Sequence, residues 1–160
     1  MSALRILVAD DDQTTCLLMQ AALPKGGLAV ELAHDGEEAL AAFERAPFDM
    51  VMLDVDMPRM NGFAACAALR RRWGDELPIV MVTGMDDIAS IEAAFEAGAT
   101  DFISKPIPWL LLAHRVRYVL RSTQAAAALR VANARNAAML DALPDTLLRI
   151  DGADHIVELR

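Results

Sequence analysis

Four short polar groups, Asp10-Asp11-Asp12, Asp54-Val55-Asp56, Thr83-Gly84 and Lys105-Pro106, each directly follow a short apolar run. Brought to one place, these side chains would have a definite chemistry. Carboxylates about 4 Å apart repel by about 4 kcal/mol at an effective dielectric near 20, so such a cluster must hold a proton, bind a cation or sit beside a lysine. Hard oxygen ligands on a partly hydrated rim suit Mg²⁺, which keeps several waters and takes only one or two carboxylates. Lys105 would add a fixed positive charge and Thr83 a hydroxyl donor. Acids, cation, lysine and hydroxyl together form a site for a phosphoryl group, whose spreading negative charge needs such partners.

The chain contains no Gly-x-x-x-x-Gly-Lys run, so no nucleotide cradle is indicated. Without a Ser-His or Cys-His pairing signal, an aspartate is the nucleophile that remains. Asp12 reads more readily as a helix N-cap than as a ligand. Read alone, Asp54 and Asp56 fit a metal pair, a phosphatase motif or a helix-capping loop.

The elements that must position these groups alternate regularly. Leu4–Ala9, Leu28–Ala33, Asp49–Leu53, Pro78–Val82 and Asp101–Ser104 read as strands, short and mostly unbroken by polar alternation, as strands covered on both faces are. Residues 13–23, 37–46, 62–73, 87–97 and 107 onward read as helices. Start signals lie at Asp35-Gly36-Glu37-Glu38, Asn61-Gly62 and Asp86, and stop signals at Pro24 to Gly27, Pro47, Gly74 and Gly98. Five βα units predict a doubly wound parallel sheet with helices on both faces, whose ligands bind beyond the carboxyl ends of the strands. Strands one and three are neighbours in such a sheet, so Asp10, Asp11 and Asp54 should converge.

Composition narrows the partners. The 160 residues carry a net charge of −8, are 55% hydrophobic, and contain only 5% aromatics. That composition favours a helix-rich soluble domain over a β-sandwich, and the charge argues against nucleic-acid binding by this segment. The one basic cluster, Arg70-Arg71-Arg72, reads as a solvated helix end. No run approaches the ~18–20 apolar residues of a membrane span, and Leu4–Ala9 is too short for a signal-peptide core. Cys16 and Cys66 fall on apolar helix faces without metal-type spacing, which predicts reduced core thiols in a cytoplasmic protein. His34, His114 and His155 share no spacing that suggests a metal site or a triad.

The segments "ILVADDD", "DMVMLDVDMPRMNGF", "PIVMVTG" and "GATDFISKP" resemble the receiver domain of two-component response regulators, and "AHDGEEAL" resembles that family's entry to its second helix. The resemblance covers about residues 3–121. It implies a flavodoxin-like sheet of order 2-1-3-4-5 and a phosphorylation-controlled switch. Asp54 matches the phospho-acceptor, which takes its phosphoryl group from a phosphohistidine of a sensor histidine kinase or phosphotransfer protein. Asp11 and Asp54 match Mg²⁺ ligands, Asp10 orients metal-bound water, and Asp56 matches the position whose backbone carbonyl also ligates. Thr83 and Lys105 match the partners of the phosphoryl oxygens. Phe102 matches the switch aromatic on the face formed by helix 87–97, the strand holding Phe102 and the helix after Pro106. Lys105-Pro106 matches a step that is often cis in the family. Gly84 departs from the usual Ala, and Asp56 with Met85 implies slow-to-moderate autodephosphorylation. Two rivals remain: a haloacid-dehalogenase-type phosphatase, which also carries Asp-x-Asp, and a receiver scaffold that acts without phosphorylation.

Beyond the receiver (1–122), residues 115–143 lack Gly and Pro and predict a continuing helix, with a linker over 123–143. Leu129, Ala132, Asn136, Met139 and Leu143 follow heptad spacing, which predicts a parallel two-helix homodimer or a helix packed on its own receiver. Residues 144–160 resemble the opening of a PAS domain: a short strand, an Asp-Gly turn and a second strand. A final strand without a partner is not stable alone, which predicts a longer protein whose output domain, such as a diguanylate cyclase or histidine kinase, follows Arg160.

Overall fold

The computed structural model describes residues 3–24, 27–84, 88–142, 148–150, 153 and 156–159. The chain divides into two compact units, Met1–Gln124 and Ala125–Arg160.

The first unit alternates β1 (Leu4–Ala9), α1 (Gln13–Ala22), β2 (Leu28–Ala33), α2 (Gly36–Arg45), β3 (Met50–Asp54), α3 (Gly62–Trp73), β4 (Ile79–Thr83), α4 (Ile88–Glu96) and β5 (Asp101–Ser104), followed by α5 (Trp109–Asp141). The five strands form one parallel sheet of order β2-β1-β3-β4-β5, as expected. β3 and β4 each run one residue later than the apolar pattern alone predicts, so Asp54 and Thr83 close their strands.

Although the strands are apolar throughout, their period of two divides them between two cores. Ile6, Val8, Met50, Met52, Val80 and Val82 face α1 and α5, where Met19, Leu112 and Val116 cover them. Leu7, Ala9, Val51, Leu53, Ile79 and Met81 face α2, α3 and α4, where Ala39, Phe43, Cys66 and Leu69 cover them. Each fully buried aliphatic side chain contributes roughly 1.5–3 kcal/mol, so both faces hold the strands in register and thereby hold the strand ends.

The helix starts follow their capping residues. Asp12 accepts from the Thr14 and Thr15 amides, and Asn61 from the Ala64 amide. Asp35 accepts from the Glu38 amide, while Glu38 reaches back to the His34 amide, one residue outside the reciprocal box the sequence suggests. Asp86 lies outside the described residues. Gly74 and Gly98 end their turns at φ 74° and 96°, where a side chain would be strained.

In the second unit, α5 continues to Asp141, and β6 (Leu148–Ile150) pairs antiparallel with β7 (Ile156–Leu159). The last strand therefore has a partner, which corrects the expectation that it stands alone. The heptad residue Leu143, Pro144, the Asp151-Gly152 turn and His155 lie outside the described residues.

Candidate functional site

Backbone register assembles the site. Ala9 pairs with Leu53, which sets Asp10 beside Asp54 at adjacent strand ends. Asp54 pairs with Val82, and Thr83 with Ser104, so Lys105 follows immediately beyond β5. The ladders continue one residue past the strands: Asp10 donates its amide to Ala33, Val55 to Val82 and Lys105 to Thr83. All four polar groups of the sequence thus meet at the carboxyl edge.

Asp10 and Asp54 are 2% and 5% exposed, and Thr83 is buried beside them. Carboxylate oxygens of Asp10, Asp11 and Asp54 lie within 4.8 Å of one another, and Asp11 is exposed. Lys105 answers this charge: its Nζ stands 2.7 Å from Asp54 Oδ1 and 3.2 Å from Asp10 Oδ2. Burial pushes the Asp54 carboxyl above its ordinary value; the Lys105 ion pair pulls it back, while Asp10 and Asp11 push with burial. For Lys105, burial favours the neutral amine, but Asp54 and Asp10 outweigh it and raise its pKa. Among the described residues, one lysine set against three carboxylates leaves net negative charge, and the carboxylate donor set is all hard oxygen. That set fits a hydrated divalent cation.

Asp12 stands apart from this cluster. Its carboxylate is held below the ordinary value by the Thr15 hydroxyl and the Thr14 and Thr15 amides, and it serves as the cap of α1. The Asp56 side chain is exposed and lies outside the carboxylate cluster. Phe102 is half-buried on β5 and meets Phe95 edge-on at 6.1 Å between centroids. The Lys105-Pro106 bond is cis. A Cβ added at Gly84 meets nothing within 4 Å among the described residues, so the departure from Ala meets no steric bar there. Cys16 and Cys66 are buried, donate to the Asp10 and Ala97 carbonyls, and have thiols pushed up to about 11, as inert core cysteines.

The model of the response regulator receiver domain matches residues 6–117, more than half of the chain. The chain belongs to the response regulator receiver family. It is 41% identical over 121 residues to the response regulator MprA of Mycobacterium avium (strain 104), covering 76% of this chain and 53% of that protein. The chain thus spans about half the length of the curated relatives it matches. Among solved structures, it resembles chemotaxis response regulator CheY4 of Vibrio cholerae at 32% identity and a TM-score of 0.68, covering 72% of this chain and 98% of the other. It also resembles a CheY-like receiver domain protein of Methanospirillum hungatei JF-1 at 26% identity and a TM-score of 0.73, covering 78% and 99%. Residues 6–117 are therefore a receiver domain of a two-component response regulator, a signalling switch of a family phosphorylated by histidine kinases.

One contact set next to this receiver site was not anticipated. Arg59, in the loop after β3, turns its guanidinium onto Asp35, Glu37 and Glu38 at the start of α2. The sequence signal was the acidic run 35–38, whose first member is buried and needs an opposite charge; nothing in the spacing names Arg59 as its source.

Proposed function

We propose that Asp54 of this receiver domain is the phospho-acceptor, and that its phosphorylation switches the α4-β5-α5 face. The observation that carries this reading is the Lys105 ammonium held 2.7 Å from a buried Asp54 carboxylate. An Asp54 oxygen attacks the phosphorus of a phosphohistidine on a sensor histidine kinase or phosphotransfer protein. The P–N bond breaks, the imidazole leaves with its electron pair, and an acyl phosphate forms on Asp54. Lys105 pairs with one phosphoryl oxygen and the Thr83 hydroxyl donates to another. Asp10, Asp11 and Asp54 would hold Mg²⁺ with the Asp56 carbonyl, and the cation when bound neutralises charge on the transferring group. Oxygens of all three acids within 4.8 Å support that assignment.

As Thr83 is drawn toward the phosphoryl group, Phe102 turns inward and changes the face it shares with Phe95 and α5. The readout passes through α5 as a linker to an output domain, and residues 144–160 open a PAS-like domain. Leu129, Ala132, Asn136 and Met139 are all exposed, which supports a homodimer through this helix. With an exposed acid at Asp56, autodephosphorylation is slow to moderate; Met85 lies outside the described residues. No helix among the described residues is long and apolar enough to cross a membrane, and we place the protein in the cytoplasm.

The test is incubation with Mg²⁺ and acetyl phosphate, then with beryllofluoride. One phosphoryl group per chain, absent in Asp54→Asn, is the expected result. Beryllofluoride binding that persists unchanged in Asp54→Asn would refute the assignment and favour a phosphorylation-independent scaffold. Steady turnover of a phosphomonoester would favour the phosphatase.

A further inference from the structure

The loop between β3 and α3, residues 55–61, carries Asp56 away from Asp54, and it is stitched down at three places. At its base, Gly62 donates to Val55, and a Cβ on Gly62 would come within 2.1 Å of the Asp54 carbonyl oxygen. At its crest, the Met60 carbonyl accepts from the Gly36 amide, so closely that a Cβ on Gly36 would meet Met60 at 2.7 Å. Between these lies Arg59, with φ 61°, the one non-glycine residue of positive φ among the described residues. A long side chain in that region costs free energy, and it persists only where surrounding contacts over-determine it.

Those contacts are ionic. The Arg59 guanidinium meets the buried Asp35 carboxylate, lies 3.3 Å from Glu38 and lies 3.9 Å from Glu37. Asp35 is 0% exposed; its Oδ1 accepts from the Glu38 amide, while Oδ2 has no hydrogen-bond partner and forms its ion pair with this guanidinium. A buried carboxylate oxygen that has one counter-charge among the described residues demands that charge in place. The demand fixes Arg59, and Arg59 fixes the loop that carries Asp56.

We propose that Arg59 is a positioning residue for the phosphoryl site: its pairing with Asp35 locks loop 55–61 in the course that presents the Asp56 main chain to the cation. The inference rests on the Mg²⁺-dependent acceptor reading of Asp54 and adds the device that pre-sets its loop. Outer partners of a metal site commonly alter metal affinity by about ten-fold or more when removed.

The experiment compares the full chain with Arg59→Gly, Arg59→Lys, Asp35→Asn and the Asp35→Asn/Arg59→Gly pair. Glycine at 59 suits φ 61° and removes the whole side chain, guanidinium included, so Asp35→Asn is the variant that tests the charge alone while asparagine keeps the cap on α2. The readouts are Mg²⁺ affinity by calorimetric titration and the initial rate of phosphorylation by acetyl phosphate. Arg59→Gly and Asp35→Asn should each lower both about ten-fold while melting cooperatively, with the pair no worse than either single change. Arg59→Lys should recover most of the loss. If Arg59→Gly does not fold, Asp35→Asn carries the same comparison. Native affinity and rate in the folded variants, with the native chain phosphorylated on Asp54, would overturn the positioning role alone. A native chain that takes neither Mg²⁺ nor phosphate would overturn the acceptor reading and this inference with it.

Discussion

Asp54→Asn should make the metal-free protein more stable, although it removes the group on which the site depends. Asp54 lies within 4.8 Å of Asp10 and Asp11, and each such repulsion is about 3.5 kcal/mol at an effective dielectric near 20. Against them stands the Lys105 ion pair at 2.7 Å, about 6 kcal/mol on the same scale. Asp11 is exposed and Lys105 retains 32% of its side-chain surface, so solvent weakens both sides of this balance. The pairwise terms nearly cancel, and the desolvation of an almost fully buried carboxylate decides the sign. An amide of equal size avoids most of that cost, and a gain of about 1–2 kcal/mol is expected.

The sign also follows from proton linkage. Burial raises the folded Asp54 pKa above its ordinary 3.8, so the native state binds more protons than the unfolded state between those values. Stability from this group therefore falls as pH rises from 3.8 through the raised value, and the full penalty stands at neutral pH. Urea unfolding in chelator across that range should show Asp54→Asn gaining stability relative to the native protein as pH rises. Saturating Mg²⁺ should then narrow or reverse the difference, because the cation stabilises whichever folded protein binds it better. A variant less stable than the native chain at neutral pH in chelator would refute the reasoning, since it would mean that the Lys105 attraction exceeds burial and repulsion together.

Lys105→Met should act oppositely, destabilising the metal-free protein by about 2 kcal/mol, less than the roughly 3–5 typical of a fully buried pair because the lysine is one-third exposed. Its folded pKa is raised above 10.5, so the difference from native should be present at neutral pH and close only as pH climbs through that raised value; denaturation series at several pH values check it. Gly62→Ala would drive a methyl to 2.1 Å from the Asp54 carbonyl oxygen and 2.9 Å from Met81, and should cost about 3 kcal/mol in urea unfolding and slow phosphorylation. Gly84→Ala meets nothing among the described residues and should leave stability within about 0.5 kcal/mol of native by the same measurement.

Why the acid site could be read from the chain and the Arg59 clamp could not has a physical answer. Asp10, Asp54, Thr83 and Lys105 each follow a strand directly, and a parallel sheet aligns strand ends by its own hydrogen bonds; sequence position therefore translates into spatial position. The strand limits slipped by one residue because the polar Asp54 and Thr83 still belong to the ladder, which backbone groups make without regard to side chain. Arg59 obeys no such rule. Its loop course depends on a left-handed φ, a glycine at 36 that admits Met60, and a carboxylate buried 24 residues upstream. None of these has a period, and the arginine itself looks like any exposed loop cation. Residues 144–160 read as two short strands about an Asp-Gly turn, and what spacing does not show is that these two strands satisfy each other's hydrogen bonds, β6 with β7. Contacts set by periodic hydrogen bonding are legible from spacing, whereas contacts set by one buried charge seeking another become legible only when burial is known. In this chain the acids, hydroxyl and lysine at the strand ends leave the course of loop 55–61 unspecified, and the pairing of Arg59 with Asp35 supplies what they omit.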